Sequence, residues 1–204
     1  GCTTFDVFHN ETLLSSVKII IPGEHNVYNT LAVIAALHQN GIPIDKIVPH
    51  FSTFTGMGRR FQKVAEFDDI VVYDDYAHHP TEIKSTLSAI KKYTDKEIIA
   101  VFQPHRYTRF KNLWNDFKNS LSDADRIIVT DVYAASEDSI DGINSEKFAS
   151  EIPNAEYISG NISDVAKKLL KSLSKNSVVI GLGAGTITNL GKELLNVRNS
   201  VICK

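Results

Sequence analysis

Residues 70–83 read "IVVYDDYAHHPTEI", and the fold turns on how this stretch is parsed. Ile70 to Tyr73 form a short, uninterrupted run of β-prone residues. Asp74, Asp75, Tyr76, His78 and His79 follow, and then Pro80. Beyond the proline, Ile83, Leu87 and Ile90 recur at helical spacing. Proline suits the first position of a helix, where its missing N–H is not needed. A continuous apolar strand that passes through a polar turn into an amphipathic helix is one half of a β–α–β unit.

The pattern recurs along the chain. Apolar runs lie at Ile98–Phe102, Arg126–Thr130 and Val178–Ile180. Helical stripes lie between them, first Phe110, Leu113, Trp114, Phe117 and Leu121, then Val165, Leu169, Leu170 and Leu173. Strands that are apolar throughout are covered on both faces, which implies a Rossmann-like, doubly wound, mostly parallel α/β sheet.

The first 57 residues differ. They open with the strand-like runs "TTFDVFHN" and "VKIIIPG", followed by a helix with Val27, Leu31, Ile34 and Ala35 on one face. A short helix is predicted from Ile44 to Phe51, and Pro49 leaves its end open. "FTGMGRR" at 54–60 reads as a linker. The predicted organisation is an α+β segment at 1–57 and an α/β domain at 58–204.

The chain of 204 residues is 43% hydrophobic and 23% charged, with a net charge of −2, as in ordinary globular proteins. No basic block favours nucleic acid or an anionic membrane. The apolar runs fall short of the roughly 18–20 residues that span a bilayer. "GCTTFDVFHN" has no basic start followed by an apolar stretch, so no secretory leader is predicted. Cys2 and Cys203 stand at opposite ends without metal-ligand spacing, which fits a reducing cytoplasm.

Ligands of open parallel sheets collect beyond the carboxyl ends of the strands. Those ends read "DDYAHHP", "QPHRYTR", "DVYAASED" and "GLGAGT". Their convergence on one edge is the functional signal. Each is weaker alone: His78 and His79 lack any HExxH-type spacing, so no metal site is predicted. Arg106 and Arg109, three apart, share a face if a helix begins here and would then clamp a carboxylate or phosphate, or else they are two solvated arginines at a helix start. "GLGAGT" is a poor dinucleotide fingerprint because it follows the last strand, and its glycines suit close helix–sheet approach as well. Asn26 and Asn29 offer the donors and acceptors an adenine edge requires, or else one caps a helix and the other is exposed.

Six motifs together, "GEHNVYNTLAVIAAL", "GMGRRFQ", "DDYAHHPTEI", "FQPHRYTR", "DVYAASE" and "GAGT", resemble the Mur ligases of peptidoglycan synthesis in order and spacing. The likeness spans about residues 19 to 195 and is greatest to the branch that joins L-alanine to UDP-N-acetylmuramate. Such ligases are similar in having a UDP-binding domain, a central ATPase domain with a P-loop, and a Rossmann-like C-terminal domain. No GKT or GKS occurs here. The resemblance therefore implies the tail of the central domain (1–57) followed by the C-terminal ligase domain (58–204), with the other domains as partners in the same chain.

The implied activity uses ATP and Mg2+ to convert the muramate carboxylate to an acyl phosphate, which the amine of L-alanine then attacks. The principal Mg2+ ligands would lie outside this stretch, and the fragment alone would be inactive. Asn26 and Asn29 match the pair that contacts adenine, Arg60 the arginine near the nucleotide phosphates with Arg59 beside it, and Asp75 the acid that holds the ribose. Tyr76, His78, His105, Arg106 and Arg109 match the surface facing alanine and the reacting carboxylate, with His78, Arg106 and Arg109 the catalytic candidates. "DDYAHHP" is then a ligand loop rather than a metal cluster. Two departures stand out: Thr186 where the family often has Asp or Asn, and Ser136 where Gly is common. Other readings are a recycling ligase that adds a peptide to the same sugar nucleotide, a binding module without chemistry, and, on "GLGAGT" alone, a nicotinamide-dependent dehydrogenase.

Overall fold

The structure, a computed structural model, describes residues 2–21 and 23–202. Cys203 lies outside the described residues. The chain divides into two compact units, Gly1–Met57 and Gly58–Lys204.

In the first unit, β1 (Thr3–His9) and β2 (Thr12–Ile19) form an antiparallel hairpin. Asn10 and Glu11 close it with φ of 49° and 64°, the left-handed pair that matches the twist of the flanking strands. Helix α1 (Glu24–Gln39) follows, then α2 (Ile44–Ile47) and a 3-10 turn over Val48–Ser52. The helix expected to reach Phe51 tightens where Pro49 cannot donate to an α-helical carbonyl. Val7, Val17, Ile19, Ile34 and Ile47 are its buried core.

The second unit holds a six-stranded sheet. Its strands are β3 (Gln62–Phe67), β4 (Ile70–Asp75), β5 (Glu97–Phe102), β6 (Arg126–Val129), β7 (Ala155–Tyr157) and β8 (Ser177–Leu182), in the order β3-β4-β8-β5-β6-β7. All neighbours are parallel except the edge pair β3 and β4. Helices α3 (Pro80–Tyr93), α4 (Tyr107–Asn112), α5 (Trp114–Ser120), α6 (Ser145–Ser150), α7 (Ile162–Leu170) and α8 (Leu190–Ile202) connect and flank the strands.

Alternate residues of each central strand enter different cores. Ile98, Ala100 and Phe102 pack with Ile83, Leu87, Phe110, Phe117 and Phe148, whereas Ile99 and Val101 pack with Val165, Leu169, Leu190 and Leu194. Both faces are therefore buried, which is why these strands are apolar throughout. The stripe over Phe110–Leu121 forms two helices rather than one, broken at Leu113 (φ −113°, ψ 22°). Phe110, Trp114 and Phe117 then pack around Phe102 and Phe148, at ring separations of 4.8 to 6.4 Å. Removing one such fully buried phenylalanine costs roughly 3–5 kcal/mol.

The chain runs outward through β4, β5, β6 and β7, then returns across the other face to insert β8 between β4 and β5. This reversal is the topological switch point at which open α/β sheets bind ligands. Register sharpens it: Asp75 and Phe102 both pair with Leu182, so β4, β5 and β8 end level. The three loops that leave them start side by side. The β6 loop joins through an isolated parallel bridge between His105 and Tyr133.

Candidate functional site

The two adjacent aspartates at the end of β4 organise the loop that precedes β3. Asp75 is buried; its Oδ2 accepts from Phe61 N at 2.9 Å and Thr86 Oγ1 at 3.4 Å, and its Oδ1 from Ala77 N at 2.8 Å. Burial raises its carboxyl above the ordinary value, against the pull of the Ala77 and Phe61 N–H groups and Arg60. Asp74, also buried, accepts from Arg59 Nε at 3.0 Å and Thr188 Oγ1 at 2.8 Å. Arg59 Nη2 donates to the Gly183 carbonyl at 2.7 Å, and Tyr76 N to the Arg59 carbonyl, also at 2.7 Å. Arg59 and Phe61 have φ of 60° and 48°, a strained conformation for residues with side chains. The aspartates hold that strain in place.

The arginine pair is thereby divided. Arg59 is tied into the sheet edge, whereas the Arg60 side chain is 53% exposed and its Nη1 lies 3.7 Å from Glu82 Oε1. Both guanidiniums approach the Tyr76 ring, at 4.9 and 5.8 Å from its centroid.

A continuous polar track starts at Tyr76. The Tyr76 and His78 rings meet edge-on at 5.1 Å, and His78 lies 6.0 Å from the His105 ring. His105 stacks on Tyr133 at 5.4 Å, and its Nδ1 accepts from Arg109 Nη1 at 3.5 Å. Burial, followed by the charges of Arg109, His78 and Arg106, pushes the His105 imidazole below its ordinary value. Arg106 has a φ of 71° and caps α4 from outside; its N donates to the Tyr133 carbonyl, and its Nη1 lies 3.8 Å from Glu137 Oε1. Glu137 also accepts from Thr108 N and Oγ1, at 3.0 and 2.7 Å. Those two bonds, with Arg106, hold its carboxyl below the usual range. The two arginines thus have different partners and do not share a helix face as expected, because Arg106 precedes α4 with a left-handed φ whereas Arg109 lies within the helix.

The sheet edge therefore brings Arg60, Asp75, Tyr76, His78, His105, Arg106 and Arg109 together. Of these, Asp75 is committed inward, with three of roughly four acceptor positions taken. In the first unit, Asn29 Nδ2 donates to Asn26 Oδ1 at 3.4 Å. Asn26 is not the helix cap, because α1 begins at Glu24 after Gly23.

"GLGAGT" proves to be packing. A Cβ on Gly183 would stand 2.8 Å from the Gln103 carbonyl oxygen, and one on Gly185 2.5 Å from Gln103 Oε1 and 2.6 Å from Tyr133 Cγ. Gln103 fills that space, accepting from Ile187 N at 3.0 Å and donating to Thr186 Oγ1 at 3.0 Å.

Gln103, Tyr133, Glu82 and Glu137 were not singled out by sequence. Glu82 was findable: it stands three residues after His79, the spacing of a reciprocal helix cap. Its Oε2 accepts from His78 N and His79 N, at 3.0 and 3.2 Å. Among the described residues no three His, Cys, Asp or Glu side chains gather as a metal ion would need, and no residue is assigned to Mg2+.

The carboxyl edge of this doubly wound domain thus carries a histidine–arginine track, and comparison with known families places the domain. The family model described as "Mur ligase, glutamate ligase domain" matches residues 59–185, and the chain belongs to the Mur ligase family. It is 45% identical to UDP-N-acetylmuramate–L-alanine ligase of Caldicellulosiruptor bescii, over 92% of this chain and 42% of the relative. It is 42% identical to the enzyme of the same name from Geotalea uraniireducens, over 95% of this chain and 43% of that one. The crystal structure of UDP-N-acetylmuramate-alanine ligase MurC from Thermotoga maritima superposes with a TM-score of 0.72 at 29% identity, covering 94% of this chain and 42% of that one. The chain thus spans well under half the length of these relatives.

Proposed function

We propose that the chain is the C-terminal part of an ATP-dependent ligase that joins L-alanine to UDP-N-acetylmuramate. The muramate carboxylate would attack the γ-phosphorus of ATP, releasing ADP and leaving an acyl phosphate. The alanine amine then displaces phosphate to form the amide. No covalent enzyme intermediate is needed, so positioning and charge stabilisation carry the catalysis. The observation behind this reading is the track Tyr76–His78–His105–Arg109 with Arg106 beside it, on a chain 45% identical to a relative bearing that name.

In this reading Arg106 and Arg109 clamp the alanine carboxylate. Neutral His105, whose Nδ1 accepts from Arg109, donates from Nε2 to an anionic oxygen. Arg60, exposed and held only by a long pair with Glu82 and the Tyr76 ring, is the arginine that would meet nucleotide phosphate, and Arg59 is structural. Asn26 and Asn29 retain the adenine role by resemblance alone. Asp75, expected to hold ribose, is better supported as the lock on the Arg59–Phe61 loop. In this reading the supply of ATP and a sugar nucleotide implies a cytoplasmic reaction. No described helix is long and apolar enough to cross a membrane.

The test is phosphate release by the full-length protein with ATP, Mg2+, UDP-N-acetylmuramate and L-alanine. Release should require all three organic substrates, and turnover with a peptide in place of alanine would instead indicate the recycling reaction. The 204-residue chain alone should not turn over.

A further inference from the structure

The two histidines of the track hold opposite tautomers. His78 Nδ1 lies 2.9 Å from the Tyr76 carbonyl oxygen, which only accepts, so Nδ1 carries the proton. In the neutral ring, Nε2 is therefore a bare lone pair, and among the described residues it has no hydrogen-bond partner. His105 is the reverse: arginine only donates, so its Nδ1 accepts and its Nε2 bears hydrogen. One histidine can receive a proton while its neighbour, 6.0 Å away, can only offer one.

A carboxylate stands behind the receiving ring. Glu82 Oε2 lies 3.5 Å from His78 Nδ1. Glu82 is held below the ordinary carboxyl range: burial pushes it up, but the N–H groups of His78 and His79, a charge on His78, and Arg60 outweigh that. It therefore remains an anion, oriented by the helix cap, beside the nitrogen that would share positive charge. The other titratable or charged groups near His78 are Arg60, reached through Glu82, and, on the far side, the neutral His105 with Arg109 and Arg106 beside it.

We propose that His78 is the general base that removes the proton from the incoming amino acid's ammonium, with Glu82 as its positioning and charge-balancing residue. This rests on the ligase reading above. The ammonium gives one proton to His78 Nε2, and its freed lone pair forms the bond to the acyl-phosphate carbon. The tetrahedral adduct collapses with cleavage of the carbon–oxygen bond to phosphate. Phosphate leaves with the electron pair and takes the second nitrogen proton, and His78 returns its own to solvent. Glu82 opposes the neighbouring arginines, which would otherwise disfavour the imidazolium.

The experiment compares two acceptors in the full-length protein: L-alanine, which must lose a proton, and hydroxylamine, already neutral at pH 7. With His78→Gln, alanine-dependent kcat should fall about 100-fold or more, with little change in KM for alanine. Hydroxamate formation should stay near the wild-type rate. With Glu82→Gln, which keeps an acceptor oxygen for the helix cap, alanine-dependent kcat should also fall with little change in KM, while hydroxamate formation stays near the wild-type rate. Equal loss with both acceptors, or no loss with alanine, in either variant would overturn the proposal. A wild type inactive with either acceptor would refute the ligase reading itself.

Discussion

Asp74 Oδ2 receives the Arg59 Nε–H at 3.0 Å in a setting where the aspartate side chain is only 4% exposed, while its other oxygen, Oδ1, has no hydrogen-bond partner among the described residues. The carboxylate therefore depends on Arg59 for its charge balance, with Thr188 the only other donor among the described residues. Breaking a buried pair from one side leaves the partner charge uncompensated. Arg59→Ala should cost about 3 kcal/mol, whereas Arg60→Ala, at an exposed ion pair, should cost under about 1 kcal/mol. Urea denaturation of the two variants measures the difference, and equal losses would dissolve the division of labour between the arginines.

Asp75 gives a second prediction, through its two backbone donors. In Asp75→Asn one position must present N–H groups to Phe61 N or Ala77 N, so a buried donor goes unpaired at a cost of about 2 kcal/mol. The pH dependence has a definite sign. A carboxyl raised above 3.8 binds more protons in the folded state. Its contribution to stability therefore grows as pH falls through the window above 3.8 and declines as pH rises through it. The wild type's advantage over Asp75→Asn should widen on acidification in that window, which denaturation at a series of pH values would read.

His105 titrates in the opposite sense. Its folded value lies below 6.5, so the native state binds fewer protons than the unfolded chain. The corresponding stability is complete above 6.5 and is lost as pH falls below it. NMR titration of the imidazole should place its midpoint below 6.5, and Arg109→Ala should move it upward by removing one of the depressing charges. A midpoint unmoved by that substitution would remove Arg109 from the causes and leave burial with the charges of His78 and Arg106.

The sheet was legible because each central strand is apolar on both faces and each helix carries a stripe. Ile98–Phe102 could scarcely be read otherwise. The edge strand β3 was not, since "QKVAEF" is short, half polar and held by pairing to β4 with an irregular register. The short α6 and β7 were likewise silent. At the site, residue type announced His78, His105, Arg106 and Arg109. It did not announce what the neighbours do: Asp75 reads as a ligand acid, but its oxygens are taken by backbone N–H groups that sequence cannot place. Tyr133 and Gln103 matter through contacts made some 30 and 80 residues away in the chain.

One departure from the family pattern acquires a physical consequence. Ala135 and Ser136 have φ of 49° and 69°, so the turn after β6 uses two left-handed residues with side chains. Such a residue costs about 1–2 kcal/mol, part of which glycine gives back as lost unfolded-state restriction. Ser136→Gly should stabilise the chain by about 0.5 kcal/mol. Thermal unfolding of Ser136→Gly against Ser136→Ala tests it, since alanine keeps the strain and should show no gain.

Gly185 makes the sharpest steric demand at the site. A methyl there would sit 2.6 Å from Tyr133 Cγ and 2.5 Å from Gln103 Oε1. Gln103 cannot swing aside without giving up Ile187 N and Thr186 Oγ1. Tyr133 is held on its other side by the His105 ring and, through its carbonyl, by Arg106 N. Gly185→Ala should therefore cost about 1–3 kcal/mol as an overpacking change, and the displaced Tyr133 ring should alter the His105 imidazole chemical shifts. Gly58→Ala is the control: its Cβ would meet nothing nearer than Gln62 Oε1 at 3.8 Å, and both stability and the His105 signals should be preserved. If Gly185→Ala left His105 undisturbed, the β8 loop would not govern the histidine track, and "GLGAGT" would serve only to bring α8 onto the sheet.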